Sequence, residues 1–145
     1  MDAIEMLVKD HQAAKRAMED VARSSGAKKR SLFDAFKRDL EAHDRLEELV
    51  FYPALKAIPK AAGFAEKHAE AHEGMEQAMS QLDGLPMDDV DWAPIFRSMQ
   101  DHLLKHVVDE ESHLFAKLRK LLSPQELDAL SERMHAAIPP LPLPA

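Results

Sequence analysis

Seven polar residues sit among apolar ones where only packing would be expected: His11, His43, Glu47, His68, His72, His106 and Glu110. On a helix, steps of three and four residues return to one face, and these seven share faces with Leu7, Leu40, Met75 and Leu103. Taken singly, a His on such a face is usually a hydrogen-bonded core residue, and a Glu lies at its edge and reaches water. Taken together they do not fit that description. Uncompensated buried carboxylates are costly, and five imidazoles cannot all find private partners. Imidazole nitrogen with carboxylate oxygen is a donor set that suits iron, manganese or zinc, and iron is the expectation. Carboxylates bridge ions, so Glu47 and Glu110, on different helices, would link two of them at the roughly 3.5–4 Å spacing of dinuclear sites. The five histidines would divide between the two ions.

The elements that must position these groups follow from composition and periodicity. The chain has 145 residues, 46% hydrophobic and 31% charged, which is the make-up of one compact unit. With only 4 Gly, one Tyr and one Trp, helix is favoured throughout. Periodic stretches predict helices at about 2–23, 28–57, 64–82 and 91–121, with Asp91 as an N-cap and Pro53 kinking the end of the second. Ser123-Pro-Gln-Glu126 reads as a capping box that opens a fifth helix to about residue 137. The expected fold is all-α: an up-down-up-down four-helix bundle with a short fifth C-terminal helix and a Pro-rich tail. Residues 1–122 would form the bundle, 123–138 the helix packed on it, and 139–145 an extended tail.

In antiparallel helices, residues equidistant from the connecting turn lie at one height. His43 with His72, and Glu47 with His68, are symmetric about the turn at Ala57–Pro59. His72 with His106, and His68 with Glu110, are symmetric about Asp89, while His11 with His43 centre beside Gly26. Three predicted turns thus agree on two layers, His43/His72/His106 and Glu47/His68/Glu110, about 6 Å apart at 1.5 Å per residue, with His11 joining from the first helix. Height demotes His102 to an outer partner or the approach, and His113 to packing near the bundle end. Glu110-Glu-Ser-His113 and Glu132-Arg-Met-His135 match the Glu-x-x-His signature of ferritin-like proteins. That fold needs both pairs on core helices, and His135 lies on the short terminal one.

Other classes are excluded by composition. Nineteen Lys and Arg against 26 Asp and Glu give a formal charge of -7, which argues against nucleic acid and anionic membranes as partners. The absence of Cys removes disulfides, Cys-ligated zinc and iron–sulfur clusters. The N-terminal MDAIEMLVKDHQ lacks the basic start of a signal peptide, and no apolar run approaches the roughly 20 residues of a membrane span. A cytoplasmic location is the expectation.

Asp10-His11, His43-Asp-Arg-Leu-Glu47-Glu48, His68-Ala-Glu-Ala-His72 and His106-Val-Val-Asp-Glu110-Glu111 resemble the hemerythrin, or HHE cation-binding, family over about residues 2–121. The repeated His-x-x-x-Glu-Glu, followed by Phe51-Tyr52-Pro53 in one helix and Leu114-Phe115 in the other, carries the resemblance. It implies two iron ions with carboxylate and oxo or hydroxo bridges, one held by His68, His72 and His106 and the other by His11 and His43. Glu47 and Glu110 would bridge, and the second ion would keep an open position. Oxygen-carrying hemerythrins place Asp five residues after the last His, whereas Glu110 is four after His106, as in the broader family. Glu48 and Glu111 would be solvated or orient a His. Tyr52 lies opposite His43 on an ideal helix, which favours a surface or packing role; the alternative is that Pro53 turns it toward the site, where a phenol would ligate iron or donate electrons.

The expected function is a non-haem di-iron protein that binds or reacts with a small oxidant (O2, peroxide or NO) at the open position. Peroxide decomposition of the catalase type is one form of that chemistry, and no catalytic residue is assigned. The alternative is iron storage or donation through the same His and Glu residues.

Overall fold

A computed structural model describes residues 1–138. The expected Pro-rich tail at 139–145 lies outside the described residues. Five helices account for nearly all of the rest: α1 (Ala3–Arg23), α2 (residues 26–56), α3 (Ala62–Asp83), α4 (residues 92–121) and α5 (Pro124–Ala137). There is no strand among the described residues. Successive long helices pack on one another, α1 on α2, the end of α2 on α3 and α3 on α4, and α1 also meets α4.

The helix ends follow from local chemistry. Asp2 and Glu5 form a capping box at the start of α1, and Ser123 with Glu126 forms the expected one at α5, satisfying backbone N–H groups that have no partner inside the helix. Arg119 at the end of α4 donates to Asp2 at 3.1 Å. Burial opposes ionisation of Asp2, but the Glu5 backbone N–H and Arg119 outweigh it and hold the carboxyl below its usual range. Between α1 and α2 the chain turns at Gly26, whose φ of +62° suits glycine, and α2 begins there rather than at residue 28. Asp91 does not cap α4 with its side chain. Its backbone N–H instead donates to the Asp89 carboxylate at 2.9 Å, so the acid two residues earlier organises the turn.

Neither α2 nor α4 is a continuous α-helix. Each contains a five-residue π-helical turn, Glu47–Phe51 in α2 and Glu110–Leu114 in α4. In both, the backbone N–H following the turn returns to the carbonyl five residues back, Tyr52 to Glu47 and Phe115 to Glu110. The expected kink at Pro53 is replaced by this turn just before it. Each π turn rotates the helix beyond it by about one residue's share of a turn, roughly 100°.

Two apolar clusters flank the level of these turns. One gathers Leu7, Phe51, Leu55, Leu114 and Phe115 with Leu127, Leu130 and Met134 of α5. The other gathers Phe33, Phe36, Met75, Trp92, Phe96 and Leu103, with Phe33 edge-on to Trp92 at 5.4 Å. Each fully buried side chain of this size contributes about 1.5–3 kcal/mol. The polar residues of interest lie between these two clusters, held from both ends.

Candidate metal centre

All seven residues singled out by spacing converge between the clusters. Glu47 and Glu110 are 0% exposed, and His11, His68, His72 and His106 are buried, with His43 at the margin. His11 Nε2 stands 3.2 Å from Glu110 Oε1, and His43 Nε2 2.7 Å from Glu47 Oε1. His106 Nε2 lies 3.1 Å from Glu110 Oε2, and His72 Nε2 3.4 Å from Glu47 Oε1. His68 joins through His106, with their Nδ1 atoms 3.2 Å apart.

Apart from the His68–His106 pair, this proximity is not hydrogen bonding. Glu47 Oε1 and Oε2, Glu110 Oε1, His11 Nε2, His72 Nδ1 and His106 Nε2 are buried without a hydrogen-bond partner among the described residues. Glu47 Oε1, Glu110 Oε1, His11 Nε2 and His106 Nε2 have neighbours at 2.7–3.2 Å without hydrogen-bond geometry, whereas His72 Nδ1 is 4.0 Å from Glu48 Oε1. Orphaned buried groups of this kind cost about 1–3 kcal/mol each unless something else satisfies them. Lone pairs converging on common points are what a cation satisfies. Donor atoms from His11, His43 and Glu110 lie within 4.8 Å of one another, as do those from Glu47, His72 and His106 and those from His68, His106 and Glu110. The donor set fits a borderline metal ion.

The charges point the same way. Burial works against ionising Glu47, but the facing His43 imidazole overrides it and holds the carboxyl well below its usual range. For Glu110, burial and the Glu47 charge are overridden by His106 and His11, so its pKa is also lowered. The histidines answer in kind. Burial disfavours their charged forms, yet Glu47 and Asp10 raise His43 well above the imidazole value, and Glu110 raises His11. His72, opposed by burial and helped by Glu47 and Asp44, is pushed up to about 9, while burial lowers His68. Two buried anions therefore demand cations, as protons on imidazole or as metal ions that displace them.

Outer carboxylates fix two of the rings. Asp10 accepts from His43 Nδ1 at 3.0 Å and Glu111 from His11 Nδ1 at 2.8 Å, leaving each Nε2 directed inward. Glu111 orients a His as expected. Glu48 does not, being exposed with its Oε1 4.0 Å from His72 Nδ1. His102 and His113 are exposed, so the second does not pack at the bundle end, and His102 is not among the residues that line the cavity beside the centre. His135 is exposed as well.

Tyr52 corrects the expectation. It is 3% exposed, and its hydroxyl lies 3.2 Å from His72 Nε2 and 3.4 Å from Glu110 Oε2. The reason is the π turn, whose rotation carries Tyr52 from the far side of α2 to the inner side. Burial and the charges of Glu47 and Glu110 raise its pKa far above the usual phenol range. Asp44 is a second residue that spacing did not single out. It is buried, with Oδ1 3.6 Å from His72 Nε2, and burial lifts its carboxyl to about 6. Its clue in sequence is its place beside His43, the same position relative to His that Val107 holds in α4.

Described residues that form helices and no strand, with two buried carboxylates on paired π turns and imidazoles gathered around them, define a cation-binding class of protein. The comparisons supply the family. A model of the hemerythrin HHE cation binding domain matches residues 2–136, and this chain belongs to that family. The match takes in α5, which the resemblance read from motifs alone left out. A solved hemerythrin HHE cation binding domain-containing protein from Mycobacterium kansasii is similar in fold, with a TM-score of 0.85 at 23% identity over 95% of this chain and 85% of that one. A DNA nickase from Nostoc sp. is 25% identical over 138 residues, 94% of this chain. The chain spans 39% of that relative's length. No described helix is long and apolar enough to cross a membrane.

Proposed function

We propose that this protein is a non-haem di-iron protein that binds or reacts with a small oxidant. Its four long helices are read as an up-down-up-down bundle around the centre, and residues 1–122, 123–138 and 139–145 as bundle, packed helix and tail. The single observation that carries the reading is the set of buried, unpartnered carboxylate and imidazole atoms between the two clusters. His68, His72 and His106 would hold one ion and His11 with His43 the other, with Glu47 and Glu110 shared between them. Iron supplies one-electron redox chemistry toward O2, peroxide or NO when bound.

The chain's own groups determine how that chemistry is set. Asp10 and Glu111 hold the Nδ1 protons of His43 and His11, so each ring presents a neutral Nε2 lone pair inward. Glu47 and Glu110, fully enclosed, can discharge their negative charge only onto cations. Phe115, stacked on His11, and Phe51 beside it close one side of the centre to bulk water. Tyr52 adds a phenol within reach of His72 and Glu110, able to donate a proton or, ionised, to serve as an eighth donor.

The relative named a DNA nickase does not change the partner reading. A formal charge of -7 repels a phosphate backbone, and a neutral small molecule remains the better fit. Metal content decides the proposal. Protein produced in iron-supplemented medium should carry about two irons per chain, as bridged dinuclear sites do, and the reduced protein should change its absorption on rapid mixing with O2 or peroxide. Zinc or a single ion, or optical inertness, would overturn it.

A further inference from the structure

A cavity of about 290 Å³ lies against the His11 and His43 side of the centre. Its exposed lining is Asp10 and Ala13 of α1, Asp39 and Ala42 of α2, and Ile138. Its walls are Ala14, Phe36, Leu40, Met75, Leu103 and Val107. Its buried end is formed by His11, His72, His106 and Asp44, three of them carrying nitrogen atoms without a hydrogen-bond partner.

The size is wrong for a diatomic alone. A dry cavity of about 150 Å³ holds a benzene molecule, and one water takes about 30 Å³ of liquid, so this space suits an organic body of about ten heavy atoms. The chemistry of the end wall specifies the head group. Asp44 Oδ1 is 3.6 Å from His72 Nε2, outside hydrogen-bonding range, so its carboxylate is available to accept a proton from something else. O2 has no proton to give. Asp10, Asp39 and Asp44 together repel an anionic head such as a carboxylate.

We infer that this cavity is a binding site for a neutral apolar organic molecule with one O–H head, an alkyl or aryl hydroperoxide or its alcohol. The body packs on Phe36, Met75 and Leu103, and the head donates to Asp44 beside the histidines. The assignment deepens the oxidant reading and rests on it for the hydroperoxide, while the binding itself is testable without any reaction.

The test is a calorimetric titration of the metal-loaded full chain with 2-phenyl-2-propanol, an unreactive alcohol of the inferred size. Saturable one-to-one binding is expected, with at least tenfold weaker binding of benzoate, which has the wrong charge, and of triphenylmethanol, which is too large. Ala14→Phe should abolish binding while helicity and metal content stay unchanged. Asp44→Val should weaken the alcohol at least tenfold but leave isopropylbenzene, which lacks the O–H, unaltered. Benzoate or triphenylmethanol binding as tightly as the alcohol would overturn the proposal, whether or not Ala14→Phe folds. Unchanged binding in a folded Ala14→Phe would also overturn it. Alcohol binding in a protein inert to peroxide would support the cavity while the oxidant reading fell.

Discussion

Residues 43–52 of α2 and 106–115 of α4 are two versions of one device. Each runs His-x-x-x-Glu-Glu into a π turn, and each π turn starts at a fully buried Glu. They differ where they face inward. Asp44 in one corresponds to Val107 in the other, and Tyr52 corresponds to Phe115. Phe115 stacks flat on His11, with ring centres 5.9 Å apart and planes 6° off parallel, whereas Tyr52 brings a hydroxyl to His72. The shared backbone places the two carboxylates, and the differing side chains make the α2 side rich in oxygen and leave the α4 side apolar. Positioning and chemistry are thus encoded by different residues of the same turn.

The strongest way to break the comparison is at the residues the two versions share. Glu47→Ala and Glu110→Ala should each lose bound metal, and to a similar degree. A ligand present at about 1,000 times its Kd contributes about 4 kcal/mol, so the melting temperature should fall on the order of 10 °C for a domain of this size. His72→Ala should behave alike and His135→Ala, an exposed residue, should change neither metal content nor melting. Metal must displace the proton that His72 holds up to about 9, so apparent affinity should also decline as pH falls. Retained metal in Glu110→Ala with loss in Glu47→Ala would mean that the two segments are not equivalent.

Asp44→Asn sharpens the contrast from the polar side. In the metal-free protein the Asp44 carboxyl titrates near 6, above its unfolded value of 3.8, because burial disfavours the charge. The folded state therefore loses stability as pH rises from about 4 to about 6, and at pH 7.5 that loss reaches at most about 3 kcal/mol for roughly two pKa units. Asp44→Asn should remove it, so the variant should resist urea better than the parent at pH 7.5 and equally below pH 4. A variant less stable at pH 7.5 would show that the carboxylate is compensated by partners rather than stranded.

Phe115→Tyr tests the other difference. It would bury a hydroxyl between His11 and the apolar cluster, and an unpartnered one costs about 1–3 kcal/mol. Tyr52→Phe should keep metal content and stability close to the parent yet alter the visible spectrum of the loaded protein. Tolerance of a hydroxyl at 115 would mean that the α4 side is wetter than its packing indicates.

Most of this candidate centre was legible because the residues gathered there obey helical spacing. His11, His43, Glu47, His68, His72, His106 and Glu110 are separated by turns whose Gly and Pro residues fix the register between helices, and symmetry about those turns aligned them. Periodicity fails where the helix itself departs from 3.6 residues per turn. An ideal helix sets Tyr52 opposite His43, and the π turn just before Pro53 brings its hydroxyl to His72. Asp44 was hidden for a different reason: a lone acid beside a His has the spacing of any solvated residue, and its burial depends on how α2 meets α3. The capping box at Asp2 went unread although Asp-x-x-Glu carries its signal.

The smallest predicted effect bears on what makes the π turn. Pro53 offers an obvious cause, since it has no N–H to return to Leu49 or Glu48 and would disrupt regular α-helix there. Residue 116, at the matching place in α4, is Ala, and that helix makes the same turn. Proline is therefore compatible with the π turn without being required for it, and the common element is the buried Glu that opens each one. The extra residue in the turn lets Glu47 and Tyr52, five apart, both face the centre, which a regular helix would not allow. Pro53→Ala should then keep metal content and the Tyr52-to-His72 contact, seen by crystallography or by nuclear Overhauser effects, and change stability by less than about 1 kcal/mol. If α2 instead straightened, Tyr52 would swing roughly 100° out of the centre, the spectrum of the loaded protein would come to match that of Tyr52→Phe, and the two segments would owe their common shape to different causes.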